Sequence, residues 1–245
     1  MASGVKPLSE SSALGLEAVR GRRVAIAVRE DRDNPAIDLA LVLAVDVSGS
    51  VSTDRLTLQF QGYSEAFTHP DLVLAVKHGR HGRIATTFVE WSDSGRQYQA
   101  VDWTLIDSEE TARAFGKAIA EATRQNPGWT SISGAIDFSV RLLTSVGYRA
   151  TKRVIDISGD GANNDGRPAD QARDAAVAAG ITINGLPLIE VEPDLADYYR
   201  GNVIGGPNAF VVVARQLSNF SEAVLKKLLV EIAGSEGMQK RSEHF

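Results

Sequence analysis

Residues 39–45, LALVLAV, form an unbroken apolar run that ends on a carboxylate, Asp46, and is followed at once by Ser48, Gly49, Ser50 and Ser52. The run is far shorter than the roughly 20 residues a membrane-spanning helix needs. A half-exposed helix would interrupt it with polar positions. A strand buried on both faces carries such a run, because apolar layers then lie above and below it. The rest of the chain must supply those layers.

From residue 37 onward, short β-branched runs alternate with amphipathic segments, the pattern of a mostly parallel sheet covered by helices on both faces. Leu56, Phe60, Tyr63 and Phe67 recur at helical spacing behind a cap at Ser52 or Thr53. Strands are predicted at 84–91 and 98–103, joined as a hairpin through SDSG, and at 152–157, 181–186 and 210–213. Further helices are predicted over 108–123 with Ser108 as cap, over 132–145 with Ile136, Val140 and Leu143 on one face, over 168–179, and over 220–232. Pro168 opens and Gly180 closes the helix between them, the usual placing of proline at a start and glycine at a stop. The expected fold class is α/β: a Rossmann-like, doubly wound, mostly parallel sheet flanked by helices, with one antiparallel edge strand. It takes up residues 37–235. Residues 1–36 read as a polar extension with one short strand at 23–28, and 236–245 as a tail.

Composition excludes several function classes. Lys and Arg number 26 against 31 Asp and Glu, a net charge of -5, which argues against a protein that binds nucleic acid by neutralising its backbone. With no cysteine there is no disulfide framework, thiolate zinc site or cysteine nucleophile. No apolar stretch is long enough for a membrane span. The amino terminus lacks the continuous apolar core of a secretory signal. Arg22 and Arg23 before VAIAV resemble a twin-arginine leader, but the short apolar run followed by REDRD suits a surface strand. This terminus points to the cytoplasm, and to the periplasm or the exterior only where a leader has been removed. His69, His78 and His81, with Lys77, Arg80 and Arg83, gather around KHGRHGR and read as solvated turn residues.

In an open parallel sheet, ligands bind outside the carboxyl ends of the strands, where loops and helix amino termini converge. Two apolar strands here end in aspartate-bearing loops, at Asp46 and at Asp160 in SGDGANNDG, and between them NPGWTSISGAI puts Thr130 just before a helix. Carboxylates and neutral hydroxyls are hard oxygen donors, suited to magnesium, manganese or calcium and unsuited to zinc or copper. In the Asp46-x-Ser48-x-Ser50 spacing, alternate side chains leaving a strand can point toward one centre, with Gly49 letting the backbone bend. The plainer alternative is that Asp46 or Ser48 caps the first helix, which leaves Thr130 and Asp160 unexplained. Trp129 belongs either to the core or to the turn before Thr130.

These segments, DVSGS at 46–50, Thr130 within GWTSISGAI and SGDG at 158–161, resemble the three loops of the metal-ion-dependent adhesion site of von Willebrand factor A (VWA) domains. GITINGLPL and VIGGPNAFVV resemble a bacterial VWA-like branch whose members are usually exported. The resemblance implies a Mg2+ ion, or Mn2+ or Ca2+, bound directly by Ser48 and Ser50, directly or through water by Thr130, and directly or through ordered waters by Asp46 and Asp160. The remaining position is implied to take water or a Glu or Asp of a protein partner. That implies a cation-dependent binding module and no enzyme; it leaves the oligomeric state open. The DGANNDG loop is richer in amides and acids than the resemblance calls for, so Asn163, Asn164 and Asp165 either support the ligands or serve turn chemistry.

Other chemistries lack their residues. Serine at 48 stands where an aspartyl phosphotransferase needs a second acid, and there is no GxSxG elbow or GxxxxGK[ST] loop. GDGANN lacks the third glycine of a dinucleotide loop, and taking Gly166 as the sixth position of a calcium loop puts Gly161 where an acid is needed. The alternative that stays open is a metal-dependent hydrolase of a phosphate or ester, with Asp160 or Asp165 positioning water on the cation.

Overall fold

The computed structural model describes residues 34–124, 127–190 and 192–242. The chain divides into a unit up to Pro35 and one from Ala36 onward. The strand expected at 23–28, like the rest of the extension before residue 34, lies outside the described residues.

The run at 39–45 is buried throughout and forms the middle of strand β1, Ala36–Asp46. Four more strands follow: β2, Ile84–Trp91; β3, Gln97–Ile106; β4, Arg149–Gly159; and β5, Thr182–Pro187. The sheet order is β3-β2-β1-β4-β5. All neighbours are parallel except β2 and β3, which are joined by the tight turn predicted from SDSG, where Arg96 N–H donates to Asp93 O and Ser92 N–H to Arg96 O. Helical crossovers between β1 and its parallel neighbours are the arrangement that buries both faces of β1.

The helices are α1, Thr53–Thr68; α2, Pro70–Lys77; α3, Glu109–Ala120; α4, Ile132–Thr144; α5, Ala169–Ala178; α6, Leu195–Tyr198, continued by a π-turn at Tyr199–Val203; and α7, Phe220–Ser242. Alternation along β1 sorts them into two layers. Leu39, Leu41, Leu43 and Val45 face a large-residue core with Phe60, Tyr63 and Phe67 of α1, Phe115 of α3 and Phe220 of α7. Ala40, Val42 and Ala44 face a second core with Ile136 of α4, Ala172 of α5 and Tyr199. Small residues on the second face let α4 and α5 lie close; bulky ones on the first are filled by edge-on aromatic pairs, Phe60 with Phe88 at 5.2 Å and Phe67 with Phe115 at 4.7 Å.

Three elements differ from the sequence reading. The strand expected at 210–213 makes only isolated bridges, Val211 to Gly185 and Ala214 to Leu188, because the amide of Phe210 is taken by the side chain of Asn184. Helix α2 was not foreseen, although Pro70 at its start and the ring of His69 accepting from Asp71 N–H mark it clearly. Helix α7 runs on to Ser242, past Ile232 where its apolar spacing ends, since Glu236, Met238, Gln239 and Lys240 are good helix formers.

Candidate metal site

Register brings the two aspartate loops together. Val45 of β1 pairs with Ser158 of β4, so Asp46 and the Gly159–Asp160 step leave the sheet side by side. The backbone N–H of Ser48 donates to Asp46 Oδ1 at 2.7 Å, which turns the chain sharply after the strand. That turn aims the Ser48 and Ser50 hydroxyls at each other, 3.1 Å apart. Ser50 Oγ donates to Asp160 Oδ1 at 2.7 Å, and Thr130 Oγ1 lies 3.4 Å from Ser48 Oγ. The five sequence-predicted residues, Asp46, Ser48, Ser50, Thr130 and Asp160, thus form one contiguous cluster of oxygens. Only Ser50 among them is exposed; the other four are buried.

Helix capping does not account for this arrangement. The cap of α1 is Ser52, which accepts from Arg55 N–H, and the cap of α4 is Ser131, which accepts from Gly134 N–H. Asp46 and Thr130 are free of that task.

The cluster suits a small hard cation. Asp46 Oδ2 and Asp160 Oδ2 are buried and make no hydrogen bond; Asp160 Oδ2 has the Arg55 guanidinium 3.7 Å away, and buried oxygens satisfied this sparsely have room for a positive ligand. Oxygens bound to an octahedral ion at about 2.0–2.1 Å sit about 2.9 Å apart along its edges, and the separations of 2.7, 3.1 and 3.4 Å bracket that value. Burial pushes the Asp46 carboxyl up to about 7, against the hydrogen bonds from Ser48 and with a smaller push from the Asp160 charge. A cation beside it would favour the ionised form. Among the described residues no group of three or more His, Asp or Glu is placed to hold a metal, so the hydroxyls are indispensable to any such site.

Neighbouring residues hold the cluster in shape; of these the sequence marks Gly49, Asn163, Asn164 and Asp165 but not Arg124 or Arg55. Arg124 donates to the carbonyls of Val47 and Ser48, and Gly49 N–H donates to Gly128 O at 2.9 Å. Asn164 clasps Thr130 twice: its Oδ1 accepts from Thr130 N–H and its own N–H donates to Thr130 O, both at 2.8 Å. Asn163 Oδ1 accepts from Ser133 N–H at 3.0 Å. Both amides therefore brace the Thr130 loop. Asp165 Oδ2 accepts from Ser94 N–H at 2.7 Å, a bond that lowers its pKa and ties that oxygen to the hairpin turn. Arg55, in the first turn of α1, sets Nη1 3.7 Å from Asp160 Oδ2 and Nη2 2.9 Å from Glu190 Oε2. A cation in the positively polarised first turn of a helix was the sequence signal that could have drawn attention to Arg55.

Beside Ser50 and Thr130 a cavity of about 480 Å³ opens, also lined by Asp93, Arg96, Trp129 and Asn164. Trp129 is 69% exposed and belongs to neither core. The histidines lie elsewhere: His69 caps α2, and His81 N–H donates to Asp38. No helix among the described residues is long and apolar enough to cross a membrane.

The sheet order, the two helical layers and the loops at the carboxyl rim define a von Willebrand factor type A fold. The same fold is found in proximal thread matrix protein 1 from the mussel byssus, solved with a zinc-occupied MIDAS motif (15% identity, TM-score 0.56, 82% of this chain and 49% of that one). It is found too in a von Willebrand factor type A protein from Catenulispora acidiphila (15%, 0.57, 81% and 43%). A third is the vWF domain of the type V pili tip protein Mfa5 from Porphyromonas gingivalis (10%, 0.55, 80% and 97%). The chain spans about half the length of the first two. No curated protein matches it by sequence. The chain belongs to the family DUF1194, described as a protein of unknown function, which matches residues 36–236.

Proposed function

We propose that the domain is a protein-binding module that uses a divalent cation, Mg2+ or in its place Mn2+ or Ca2+, to capture an acidic side chain of a partner. The observation that carries this reading is the pair of buried carboxylate oxygens on Asp46 and Asp160 that make no hydrogen bond, beside three hydroxyls. Asp46, Ser48, Ser50, Thr130 and Asp160 would hold the ion. When bound, it would supply a Lewis-acidic face, and its three hydroxyl donors would add no negative charge beyond that of the two carboxylates. Ser50 lies at the exposed side of the cluster and borders the cavity, which gives a partner carboxylate its approach. Arg124, Asn164 and the Gly49–Gly128 contact keep the donors in place before the ion arrives. A matrix protein and a pilus tip protein share the fold, which supports a binding role.

The test is capture of peptides from a displayed library in magnesium and in chelator. Peptides retained in magnesium should be released by chelator and should lose binding when their Glu or Asp becomes Gln or Asn. Asp46→Ala and Ser48→Ala should retain none. Equal retention in chelator would remove the reading, and metal-dependent turnover of phosphoesters that vanishes in Asp46→Ala would replace it with hydrolysis.

A further inference from the structure

Arg55 occupies an unfavourable place. It is a cation in the first turn of α1, where the unpaired amides already carry partial positive charge. Two carboxylates hold it there. Its Nη2 makes a close ion pair with Glu190 Oε2 at 2.9 Å, while its Nη1 faces Asp160 Oδ2 at 3.7 Å. The facing atoms are both buried, and neither makes a hydrogen bond to anything. A guanidinium normally meets a carboxylate through short, directional bonds. Here the contact is charge against charge with no bond to break, so a second cation can take over Asp160 while Glu190 keeps the guanidinium where it is.

We propose that Arg55 is an internal counter-charge that holds Asp160 in the cation-free protein and competes with the divalent ion for it, setting the affinity of the site for its cation. This rests on the reading of the Asp46–Asp160 cluster as a cation site. Without Arg55, two buried carboxylates would face each other with no positive group beside them. With it, the cation-free cluster is partly neutralised, and the incoming ion meets a fixed positive charge. Arg55 is a positioning and affinity-setting residue; it is not one of the ligands. Glu190 has the opposite role, since it draws the guanidinium away from Asp160.

The experiment titrates manganese chloride into the full chain and follows the loss of the free Mn2+ electron paramagnetic resonance signal. Arg55→Gln and Arg55→Ala should each bind manganese more tightly than the wild type, by on the order of ten-fold, the size of a screened charge–charge term at such a distance. Arg55→Lys, which keeps the charge, should stay near the wild type. Glu190→Gln should weaken binding, and by much less in the Arg55→Gln background, because its effect runs through Arg55. A merely structural arginine would give looser binding in every variant. If the wild type binds and both neutral variants bind no tighter, the counter-charge is wrong and the cation site stands. If neither the wild type nor the neutral variants bind manganese, the inference and the site reading fall together.

Discussion

Asp46 has no exposed surface, and the space around its carboxylate depends on what position 159 lacks. A methyl group added at Gly159 would sit 2.9 Å from the Tyr199 hydroxyl and 3.0 Å from Asp46 Oδ2, closer than packed atoms tolerate. Gly159→Ala should therefore displace Asp46 or Tyr199, lower stability by about 1–3 kcal/mol as overpacking does, and weaken cation binding with it. Gly147→Ala is the control, because nothing lies within 4 Å of its added carbon. Urea denaturation and manganese titration of the two variants should separate them clearly. The same crowding pushes the Tyr199 hydroxyl well above its ordinary range, first through burial and then through the Asp46 charge, so Tyr199 stays neutral beside the cluster.

Between elements, the most unusual contact ties α7 to the sheet. Lys227 is fully buried, pairs with Asp156 of β4 at 2.7 Å and with Glu231 one turn along its own helix, and lies 5.2 Å from the centre of the Phe210 ring. Asn184 of β5 donates to Glu231 Oε1 at 2.9 Å. One lysine serves two acids, and burial, reinforced by the Glu231 charge and opposed by Lys227, pushes Asp156 up to about 7. The folded state thus binds a proton at Asp156 that the unfolded chain releases near 3.8. Protons held by the folded form favour it, so this contribution is complete below about pH 4 and is lost as pH rises through about 7. Thermal denaturation between those limits should show Asp156→Asn with a flatter fall of stability than the wild type. Removing the lysine instead leaves two buried acids unpaired. Lys227→Met should cost about 3–5 kcal/mol, measurable as a lowered urea midpoint.

For the whole molecule, a cation that binds only the folded state must stabilise it by mass action. At a hundred times its dissociation constant the gain is about 2.7 kcal/mol, which raises the melting temperature of a domain this size by about 5–10 °C. Calorimetry with magnesium and with chelator should show that shift in the wild type and none in Asp46→Asn, whose neutral amide removes a buried charge but also a proposed ligand. The layered α/β fold was legible because two-sided burial of residues 39–45 admits few alternatives, and helical and strand periods around it are local. The meeting of Asp46, Ser48 and Ser50 with Asp160 was legible for a related reason: parallel strands deliver their carboxyl ends to one rim, where the residues just after them gather; Thr130 follows a helix and was legible through the resemblance of its loop to that of VWA domains. Segment 210–213 was misread because its β-branched composition is local, whereas the amide of Phe210 is claimed by Asn184 from a different strand. The sequence by itself determined the five strands of the sheet and that the oxygens of Asp46, Ser48, Ser50 and Asp160 leave its strand ends, since these follow from short-range periodicity and connection order. Only the tertiary structure decided that Arg55 stands against Asp160, that Arg124 and Asn164 brace the loops, and that Lys227 is buried between two acids. Those contacts join residues distant in sequence, and the direction of a long charged side chain is set by the packing around it.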